Sequence, residues 1–331
     1  MNVFTFARRR LSRGESVFLA HVAHHTRHSP GTTGASMAVA EDGSTCGTVG
    51  GGIMEARVLE LAHRALGDTD FSPRYERLYH RRKAPDETTA TTSGLHCAGN
   101  QTNLYHLATP DDLSTVADIV DRFQNDRPGM VRIDSSGLTI EEYVPEQIEP
   151  PYRFQDGQGW SFTAQLLNWK RVAIIGGGHC GLALSRTMDN LGYTVSVIEN
   201  RPHVFTFEQN EYATHKIAVD DYADAGSHIN YPAWTHVVVM TANRPDDVRG
   251  LLGIAEGPYP YIGVMGAPAK LARIRSDLND LGIGDGAIDG FYAPVGLDMT
   301  SNTPEEIAIS IAAEILRERQ KLFPFTRPAE I

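Results

Sequence analysis

The sequence contains little cysteine: three residues among 331, at Cys46, Cys97 and Cys180. An odd number of cysteines scattered along a long chain argues against a disulfide framework and favours a reducing compartment. No apolar run of signal-peptide length follows the basic N-terminus, and no stretch approaches the roughly 20 apolar residues that a membrane span requires. We therefore expect a cytoplasmic protein without a membrane segment.

Basic residues are also in deficit. The chain has 30 Lys and Arg against 41 Asp and Glu, which gives a formal net charge of −11 at pH 7. The field of such a chain repels nucleic acids and anionic lipid surfaces, so we expect neither as a general partner. The hydrophobic fraction of 41% is ordinary for a globular protein. The length favours two domains over one.

The N-terminal part mixes short strands and helices. Apolar runs predict strands over 16–23 and 36–40. The turn Gly50-Gly51-Gly52 precedes a predicted helix, because apolar residues after it recur at helical spacing. These apolar residues are Met54, Val58, Leu61, Ala62 and Ala65. The pattern indicates a mixed α/β domain.

Further signals extend this domain to a linker. Thr109 followed by Pro110 is typical of a helix start, and apolar runs predict strands over 130–133 and 138–143. The chain after Tyr143 is rich in proline, glycine and polar residues without either hydrophobic period. We interpret 1–143 as a smaller mixed α/β domain and 144–168 as a linker.

The C-terminal part alternates strands with helices. Strands are predicted over 172–175, 194–198, 216–219, 236–240 and 261–265, and helices over 182–190, 246–254 and 270–281. A closing helix is marked by Thr303 as N-cap, by the proline after it, and by Glu306, which completes a capping box. Such alternation predicts a parallel sheet covered on both faces. We expect a Rossmann-like, doubly wound domain over 169–331.

A glycine loop follows the first of these strands. The segment from Gly176 to Gly181 fits G-x-G-x-x-G through Gly176, Gly178 and Gly181, and it lies between a predicted strand and a predicted helix. Backbone N–H groups at such a helix start bind the phosphate of a dinucleotide. Glu199, at the end of the second strand, stands where this fold places a carboxylate for the ribose hydroxyl, and Arg201 leaves open a choice between a 2′-hydroxyl and a 2′-phosphate.

The loop does not by itself specify a reaction. A structural strand-to-helix turn without a ligand remains an alternative. No residue of this half stands out as the proton donor that a hydroxy-acid dehydrogenase requires, and His179, inside the loop, is interpreted as a partly exposed histidine. The pattern therefore predicts binding of a phosphate-bearing ligand and leaves the chemistry open.

The turn at Gly50, Gly51 and Gly52 repeats this design in the first domain. Small residues let the backbone approach a ligand, and the following helix directs the positive end of its dipole at the site. Glu55 lies in the first turn of that helix. It is either a ligand or orienting carboxylate, or a favourable charge at a helix N-terminus.

Cys97 lies in a glycine-flanked polar turn, Ser93 to Asn100, which favours a reachable thiol. Reachable thiolates bind soft metals and carry sulfur, although an inert thiol remains the alternative. The histidines His24, His25 and His28 could suggest a metal site, but no nearby cysteine or carboxylate completes the ligand spacing. We interpret them as a polar loop, and Cys97 as the candidate metal ligand.

Taken together, the motifs resemble the XdhC/CoxI family, accessory proteins of xanthine dehydrogenase and related molybdenum hydroxylases. The resemblance rests on the following segments: Gly47–Glu55, Cys97–Gly99, Ile175–Gly181, Ala293–Asp298 and Thr303–Ala308. Ala98 stands where the family usually has glycine. The segments Thr241–Asn243 and Gly266–Lys270 lack, respectively, the histidine and the basic residues that the family often has there.

This resemblance implies a molybdenum cofactor (molybdopterin) chaperone. Such a protein holds the cofactor while a cysteine desulfurase provides the terminal sulfido ligand, and delivers it to a xanthine dehydrogenase-type molybdenum hydroxylase. The resemblance also implies a homodimer, and a protein without turnover of its own. The cofactor is then expected between the domains, with Cys97, Glu55 and the Gly50–Gly52 turn on one side and the Gly176–Gly181 loop on the other.

Two other functions are compatible with the sequence. The glycine loop and Glu199 also fit an NAD(P)-binding oxidoreductase, in which the C-terminal domain holds the dinucleotide. A pure interaction scaffold with a vestigial Rossmann domain binds neither ligand. Titration with NADH and NADPH, together with measurement of bound molybdenum and pterin, separates the three functions.

Overall fold

The computed structural model describes residues 2–67, 70–79, 91–92, 99–144 and 150–323. Cys97, the predicted metal ligand, lies outside these residues. Contacts within the chain separate two compact units, one containing Met1–Leu167 and the other Asn168–Thr326. We call them the N-terminal and C-terminal domains.

The N-terminal domain is built on a mostly antiparallel sheet of order β3-β2-β1-β6-β4-β5, in which only β4 and β5 pair in parallel. Its strands are β1 (Val17–His25), β2 (Ser36–Ala40), β3 (Thr45–Gly47), β4 (Arg74–Tyr79), β5 (Thr91–Thr92) and β6 (Asn100–Ala108). The helices are α1 (Asn2–Leu11), α2 (Gly52–Ala65) and α3 (Leu113–Gln124), the last preceded by a 3-10 turn at Pro110–Asp112. The predicted strands at 16–23 and 36–40 and the helix after the glycine turn are confirmed.

Alternate residues of β1 pack on opposite faces of this sheet, as a strand requires. Val17 and Leu19 pack with α1 and α3 in one core, whereas Phe18 and Ala20 pack with the apolar stripe of α2 in another. The sheet is therefore covered on both sides. The histidines His24 and His25, interpreted from sequence as part of a loop, are instead the last residues of β1.

A second, antiparallel sheet of order β8-β7-β10-β9 completes the N-terminal domain. Its strands are β7 (Met130–Asp134), β8 (Gly137–Glu141), β9 (Tyr152–Gln155) and β10 (Ser161–Gln165). The region 144–168, predicted to be a linker, thus contains two paired strands, which is a correction. The aromatic side chains of β9 and β10 pack against the first core, so this region is anchored although its sequence is polar.

The C-terminal domain is a parallel sheet of order β13-β12-β11-β14-β15. Its strands are β11 (Arg171–Ile175), β12 (Thr194–Glu199), β13 (His215–Ala218), β14 (Thr235–Val239) and β15 (Tyr261–Val264). Its helices are α4 (His179–Asn190), α5 (Phe205–Glu208), α6 (Arg244–Leu252), α7 (Pro268–Asp280), α8 (Asp285–Ile288) and α9 (Pro304–Leu322), with 3-10 turns at Tyr222–His228 and Pro232–Trp234. All five predicted strands are present.

Helices cover both faces of this sheet. Val172 and Ile174 of β11 pack with α4 and α9, whereas Ala173 and Ile175 pack with α6 and α7. The strand order reverses between β11 and β14, and ligands of such sheets bind at the carboxyl ends of the strands where this reversal occurs. The predicted fold class, a Rossmann-like doubly wound sheet preceded by a mixed α/β domain, is confirmed.

Candidate functional site

The glycine loop of the C-terminal domain lies at the reversal of strand order. A Cβ on Gly176 would lie 2.4 Å from the carbonyl oxygen of Met240, and a Cβ on Gly181 would lie 2.2 Å from the carbonyl oxygen of Gly176. These two glycines allow β11, the end of β14 and α4 to meet. A Cβ on Gly178, by contrast, would have no neighbour within 4 Å, so this residue faces open space.

Helix α4 begins directly at this open position. Gly178 is its N-cap and supplies no side chain to bind the first N–H groups of the helix. These donors and the positive end of the helix dipole therefore face the space beside Gly178, where an anion can approach them. The structure thus places the glycine loop and an uncapped helix start together at the predicted position.

Glu199, at the end of β12, was expected to bind a ribose hydroxyl, but its environment in the structure is different. Its carboxylate is fully buried and bonded within the chain. Oε2 accepts from the Gly177 N–H (2.7 Å) and from Arg201 Nη2 (3.2 Å), and Oε1 accepts from the Arg201 N–H (2.9 Å) and Nε (2.8 Å). Burial alone would raise its pKa, but hydrogen bonds from Arg201 and Gly177 lower the pKa of Glu199 below its ordinary value. Glu199 therefore braces the glycine loop and holds Arg201.

A buried carboxylate also lies at the carboxyl end of β14, and sequence reasoning did not identify it. Asp247 Oδ1 accepts from the N–H (3.0 Å) and hydroxyl (2.7 Å) of Thr241, and its Oδ2 forms an ion pair with Lys270. Lys270 Nζ also donates to the carbonyl of Met265 at 3.3 Å. These bonds fix the backbone that follows β14 and β15. They also hold the cation of Lys270 near the carboxyl ends of these two strands.

The motif Ala293–Asp298 has a structural role. The Gly296 N–H (2.9 Å) and the Tyr261 hydroxyl (2.7 Å) both donate to Oε2 of Glu314, a buried carboxylate of α9. The hydroxyl of Ser310 donates to the carbonyl of Leu297. These bonds attach α9 to the edge of the sheet, and the capping box predicted at its start, between Thr303 and Glu306, is present. Two of the family-like motifs thus act together to anchor one helix.

The glycine turn of the N-terminal domain also faces open space, as Gly178 does in the C-terminal domain. Gly50, Gly51 and Gly52 have φ values of 120°, 78° and 49°, which favour glycine. A Cβ on Gly51 or Gly52 would have no neighbour within 4 Å, and α2 has no side-chain cap. Glu55 Oε1 accepts from the Thr48 hydroxyl (2.5 Å), which in turn accepts from the Gly50 N–H (3.2 Å). Glu55 therefore orients the turn, and the helix start remains open.

A buried glutamine of β6 holds this turn in place. Gln101 Oε1 accepts from the Gly31 N–H (3.0 Å) and the Ser29 hydroxyl (3.1 Å). Its Nε2 donates to the carbonyl of Val49 (2.9 Å) and to Asn103 Oδ1 (2.7 Å). Three of these four hydrogen bonds hold the loops around the glycine turn. Sequence reasoning missed this residue, because β6 is rich in polar residues and lacks the apolar alternation of a typical strand.

Gly99, the last residue of the Cys97–Gly99 motif, packs on the same loops. A Cβ there would lie 2.7 Å from the Ser29 backbone nitrogen. Gly99 and Gly50 thus pack on the same loop, which contains Ser29 and Gly31. Cys97 itself lies outside the described residues, and among the described residues no cluster of metal-ligating side chains is present.

These features define a two-domain α/β protein with a Rossmann-type second domain and an open, glycine-rich helix start in each domain. A family model described as the XdhC Rossmann domain matches residues 172–315, and one described as the XdhC and CoxI family matches residues 10–75. Together they cover more than half of the chain. The chain belongs to the XdhC and CoxI family.

Similar proteins include two curated bacterial sequences. The Uncharacterized protein YqeB of Escherichia coli K12 is 24% identical over 317 residues, which span 96% of this chain and 46% of YqeB. A Bacillus subtilis protein, named as a probable xanthine dehydrogenase subunit, is 26% identical over 152 residues, which span 46% of this chain and 44% of that protein. The chain therefore spans less than half the length of these relatives.

The fold has a full-length counterpart among solved structures. A crystal structure of a Bacillus halodurans protein named as a xanthine dehydrogenase aligns with 97% of this chain and 96% of its own, with a TM-score of 0.71 and 20% identity. At this identity the likeness shows the fold alone. No helix among the described residues is long and apolar enough to cross a membrane.

Proposed function

We propose that this protein is an accessory protein of a xanthine dehydrogenase-type molybdenum hydroxylase. It binds the molybdenum cofactor, supports its sulfuration and inserts it into the hydroxylase, without turnover of its own. Family membership supports this proposal, and the name of the Bacillus subtilis relative supports the choice of partner. A cysteine desulfurase as sulfur donor and a homodimeric state complete the proposal.

The observation that carries the proposal is the pair of open helix starts. Both α2 and α4 have a glycine as N-cap, lack a side-chain cap and face open space at that residue. Unpaired N–H groups and the positive end of a helix dipole suit the phosphate of a molybdopterin or of its nucleotide form. The residues present therefore fit a phosphate-bearing cofactor.

Each predicted site residue then has a role in binding. Gly176, Gly178 and Gly181 form one phosphate loop, with Glu199 as its brace, and Gly50–Gly52 with Glu55 form the other. Cys97 provides a thiolate, the type of ligand that soft metals prefer. The bound cofactor itself supplies the molybdenum centre that the hydroxylase uses, whereas this chain binds and shields it.

A substitution at Gly178 tests the proposed phosphate loop. Gly178 has φ −74° and ψ −168°, an extended conformation suited to an aspartate N-cap. Gly178→Asp should therefore stabilise α4 by a few tenths of a kcal/mol, while its carboxylate occupies the anion position. We expect wild-type folding and a loss of most of the molybdenum and pterin that co-purify from cells that make the cofactor.

Retention of the cofactor by Gly178→Asp would exclude the α4 loop from the site. Gly178→Ala is the matched control, because its methyl group enters the same open space without charge. It should retain more cofactor than the aspartate variant and melt at most a few degrees lower, because alanine is a poorer N-cap than aspartate by about 1 kcal/mol.

Cys97→Ser tests the thiolate in the same measurement. Its control is Cys46→Ser, since Cys46 lies in β3 and has no proposed role. We expect a several-fold drop in molybdenum per chain for Cys97→Ser and none for Cys46→Ser. Equal molybdenum content in both variants would remove Cys97 from the proposal.

The second candidate function is that of an NAD(P)-binding oxidoreductase, favoured by the open glycine loop at the reversal of strand order. It requires saturable binding of a nicotinamide dinucleotide. Calorimetric titration of the purified protein with NADH and with NADPH separates the two functions, because flat titrations with both would exclude the oxidoreductase.

A further inference from the structure

A polar pocket of about 370 Å³ lies at the amino end of the C-terminal sheet, and we call it the amino-end pocket. It is at the opposite end of β11 from the glycine loop, because Arg171 begins this strand and Gly176 follows its last residue. At about 3.3 Å per residue, the length of β11 separates the two places by roughly 16 Å. The amino-end pocket is therefore distinct from the candidate site described above.

Three neighbouring strands supply the floor of this pocket. Ser196 of β12 pairs with His215 of β13, and Arg171 of β11 pairs with Thr194, two residues before Ser196. Residues in register, and residues two apart on one strand, point to the same face of a sheet. The side chains of Arg171, Ser196 and His215 therefore share one face. Two residues further along β11 and β12, the same face belongs to the apolar core.

Arg171 is the buried cation of this floor. It is only 3% exposed, and its guanidinium carbon lies 5.1 Å from the centroid of the Tyr231 ring, a contact that orients the guanidinium. Tyr231 has φ 54° and ψ 57°, the left-handed region that a bulky side chain rarely adopts. Strained backbone of this kind is concentrated at ligand sites. The strain at Tyr231 is thus located where its ring meets the buried cation.

The rim of the pocket carries further basic and donor side chains. Lys216 Nζ donates to the carbonyl of Glu208 at 2.9 Å, an uncharged acceptor, and His228 lies at the end of a 3-10 turn. Within the described part of the chain, neither Lys216 nor His228 forms an ion pair. The hydroxyl of Thr214 accepts from the Val195 N–H at 3.1 Å, so its own hydrogen is left to donate. No acidic residue is among the described residues that line the pocket.

We propose that the amino-end pocket binds a phosphate group, either as inorganic phosphate or as part of a phosphorylated sugar. A phosphate monoester carries a charge of about −1.5 to −2 at pH 7 and three strong acceptor oxygens. Arg171 below, Lys216 and His228 at the rim, and the two hydroxyls offer donors from several directions, as a tetrahedral oxyanion requires.

The size and the setting of the pocket support this ligand class. With about 30 Å³ for each water molecule, the pocket has room for roughly twelve, which is enough for a phosphate and a sugar. The chain as a whole has a net charge of −11, so a pocket lined by basic residues stands out from its field. The inference uses the C-terminal domain alone and does not depend on the proposed function.

Isothermal titration of the full chain in phosphate-free buffer tests the proposal. Inorganic phosphate is the bare group, ribose 5-phosphate carries the sugar, and ribose is the uncharged control. We expect saturable binding of at least one phosphate probe and none of ribose. Equal affinity for the two phosphate probes identifies the phosphate group alone as the ligand, whereas tighter ribose 5-phosphate identifies a sugar phosphate. The titrations are repeated in Gly178→Asp, where saturable binding should remain, because the α4 loop lies at the other end of β11.

The double variant Lys216→Gln, His228→Gln is decisive. Both positions are exposed, so the fold should be unaffected. The loss of two basic donors should weaken phosphate binding by about 10-fold or more. Arg13→Gln with His63→Gln is the matched control, because it removes the same charges at exposed positions of the N-terminal domain and should bind as wild type.

Four results would overturn the proposal. The first is a flat titration with both phosphate probes at about 1 mM, where even a weak site registers. The second is equal affinity for ribose and ribose 5-phosphate. The third is an affinity in the Lys216 and His228 variant that equals that of its control. The fourth is complete loss of binding in Gly178→Asp, which would assign the phosphate to the glycine loop. Because none of these measurements uses molybdenum, their failure is distinguishable from failure of the proposed function.

Discussion

The two glycine-rich helix starts of this protein are built in different ways. In the C-terminal domain, loop, helix and bracing carboxylate all lie within 176–199, and Glu199 binds the loop directly through the Gly177 N–H. In the N-terminal domain, the glycine turn is held by Gln101, which lies about 50 residues further along the chain. One site is assembled locally along the chain and the other by tertiary structure.

This difference explains why the sequence identifies one glycine-rich helix start more readily than the other. A strand, a glycine pattern and a helix in sequence identify the first site, because the strands of a βαβ unit place their carboxyl ends together. The second has no such local signature beyond its three glycines. The residue that fixes it belongs to a strand of the opposite half of the sheet. Polar residues in the N-terminal domain therefore contribute more to its architecture than composition suggests.

The largest effect on stability is expected for Gln101→Ala. The change leaves the Gly31 N–H and the Val49 carbonyl without their partner in a buried setting, so we expect a loss of roughly 4 kcal/mol in the free energy of unfolding. Denaturation by urea measures it. Gln155→Ala at an exposed position should cost far less. Comparable losses in the two variants would show that Gln101 is not the element that holds the turn.

A smaller effect is expected for Gly181→Ala in the C-terminal domain. The added methyl group meets the Gly176 carbonyl oxygen at 2.2 Å, and overpacking of this kind costs about 1–3 kcal/mol. Gly178→Ala, three residues earlier and facing open space, should cost less, about 0.5 kcal/mol, because it meets no neighbour and only replaces glycine by alanine at the N-cap. Equal melting temperatures for the two variants would contradict the division of this loop into packing and ligand-facing glycines.

The smallest effect concerns the brace of the same loop. The pKa of Glu199 is lowered in the folded protein, so its stabilising contribution is present above its ordinary value of 4.5 and is lost as pH falls through the folded pKa. Glu199→Gln should cost about 1 kcal/mol at pH 7. Urea denaturation from pH 7 to pH 3 should show this difference shrinking below about pH 4.5. A difference that stays constant with pH would mean that the charge of Glu199 contributes nothing.

Much of the fold was predictable from periodicity. The five strands of the C-terminal sheet, its four longer helices and the capping box at Thr303 were recognisable, since buried parallel strands are continuous apolar runs. The strands β9 and β10 were not predicted, although Tyr152 and Phe154 alternate with polar residues. Proline and glycine around them suggested a linker, and only packing on the first core makes them strands.

The residues of the candidate site also include some that the sequence predicted and others that it did not. Gly176, Gly178 and Gly181 were predicted and are brought together, whereas the Asp247–Lys270 pair and Gln101 were not predicted. The partners of these groups are distant in sequence, and a buried carboxylate or carboxamide carries no sequence signature. The roles of Cys97, Glu55 and the cofactor stay predictions that the proposed experiments test.

The sequence alone therefore determined the family, the Rossmann sheet and the position of its glycine loop, because each depends on residues adjacent in the chain. The bonds of Glu199 with the glycine loop, and those of Gln101 with the other glycine turn, arise only when distant parts of the chain pack together. Hydrogen bonds between side chains of different strands depend on register and burial, which local propensity does not specify.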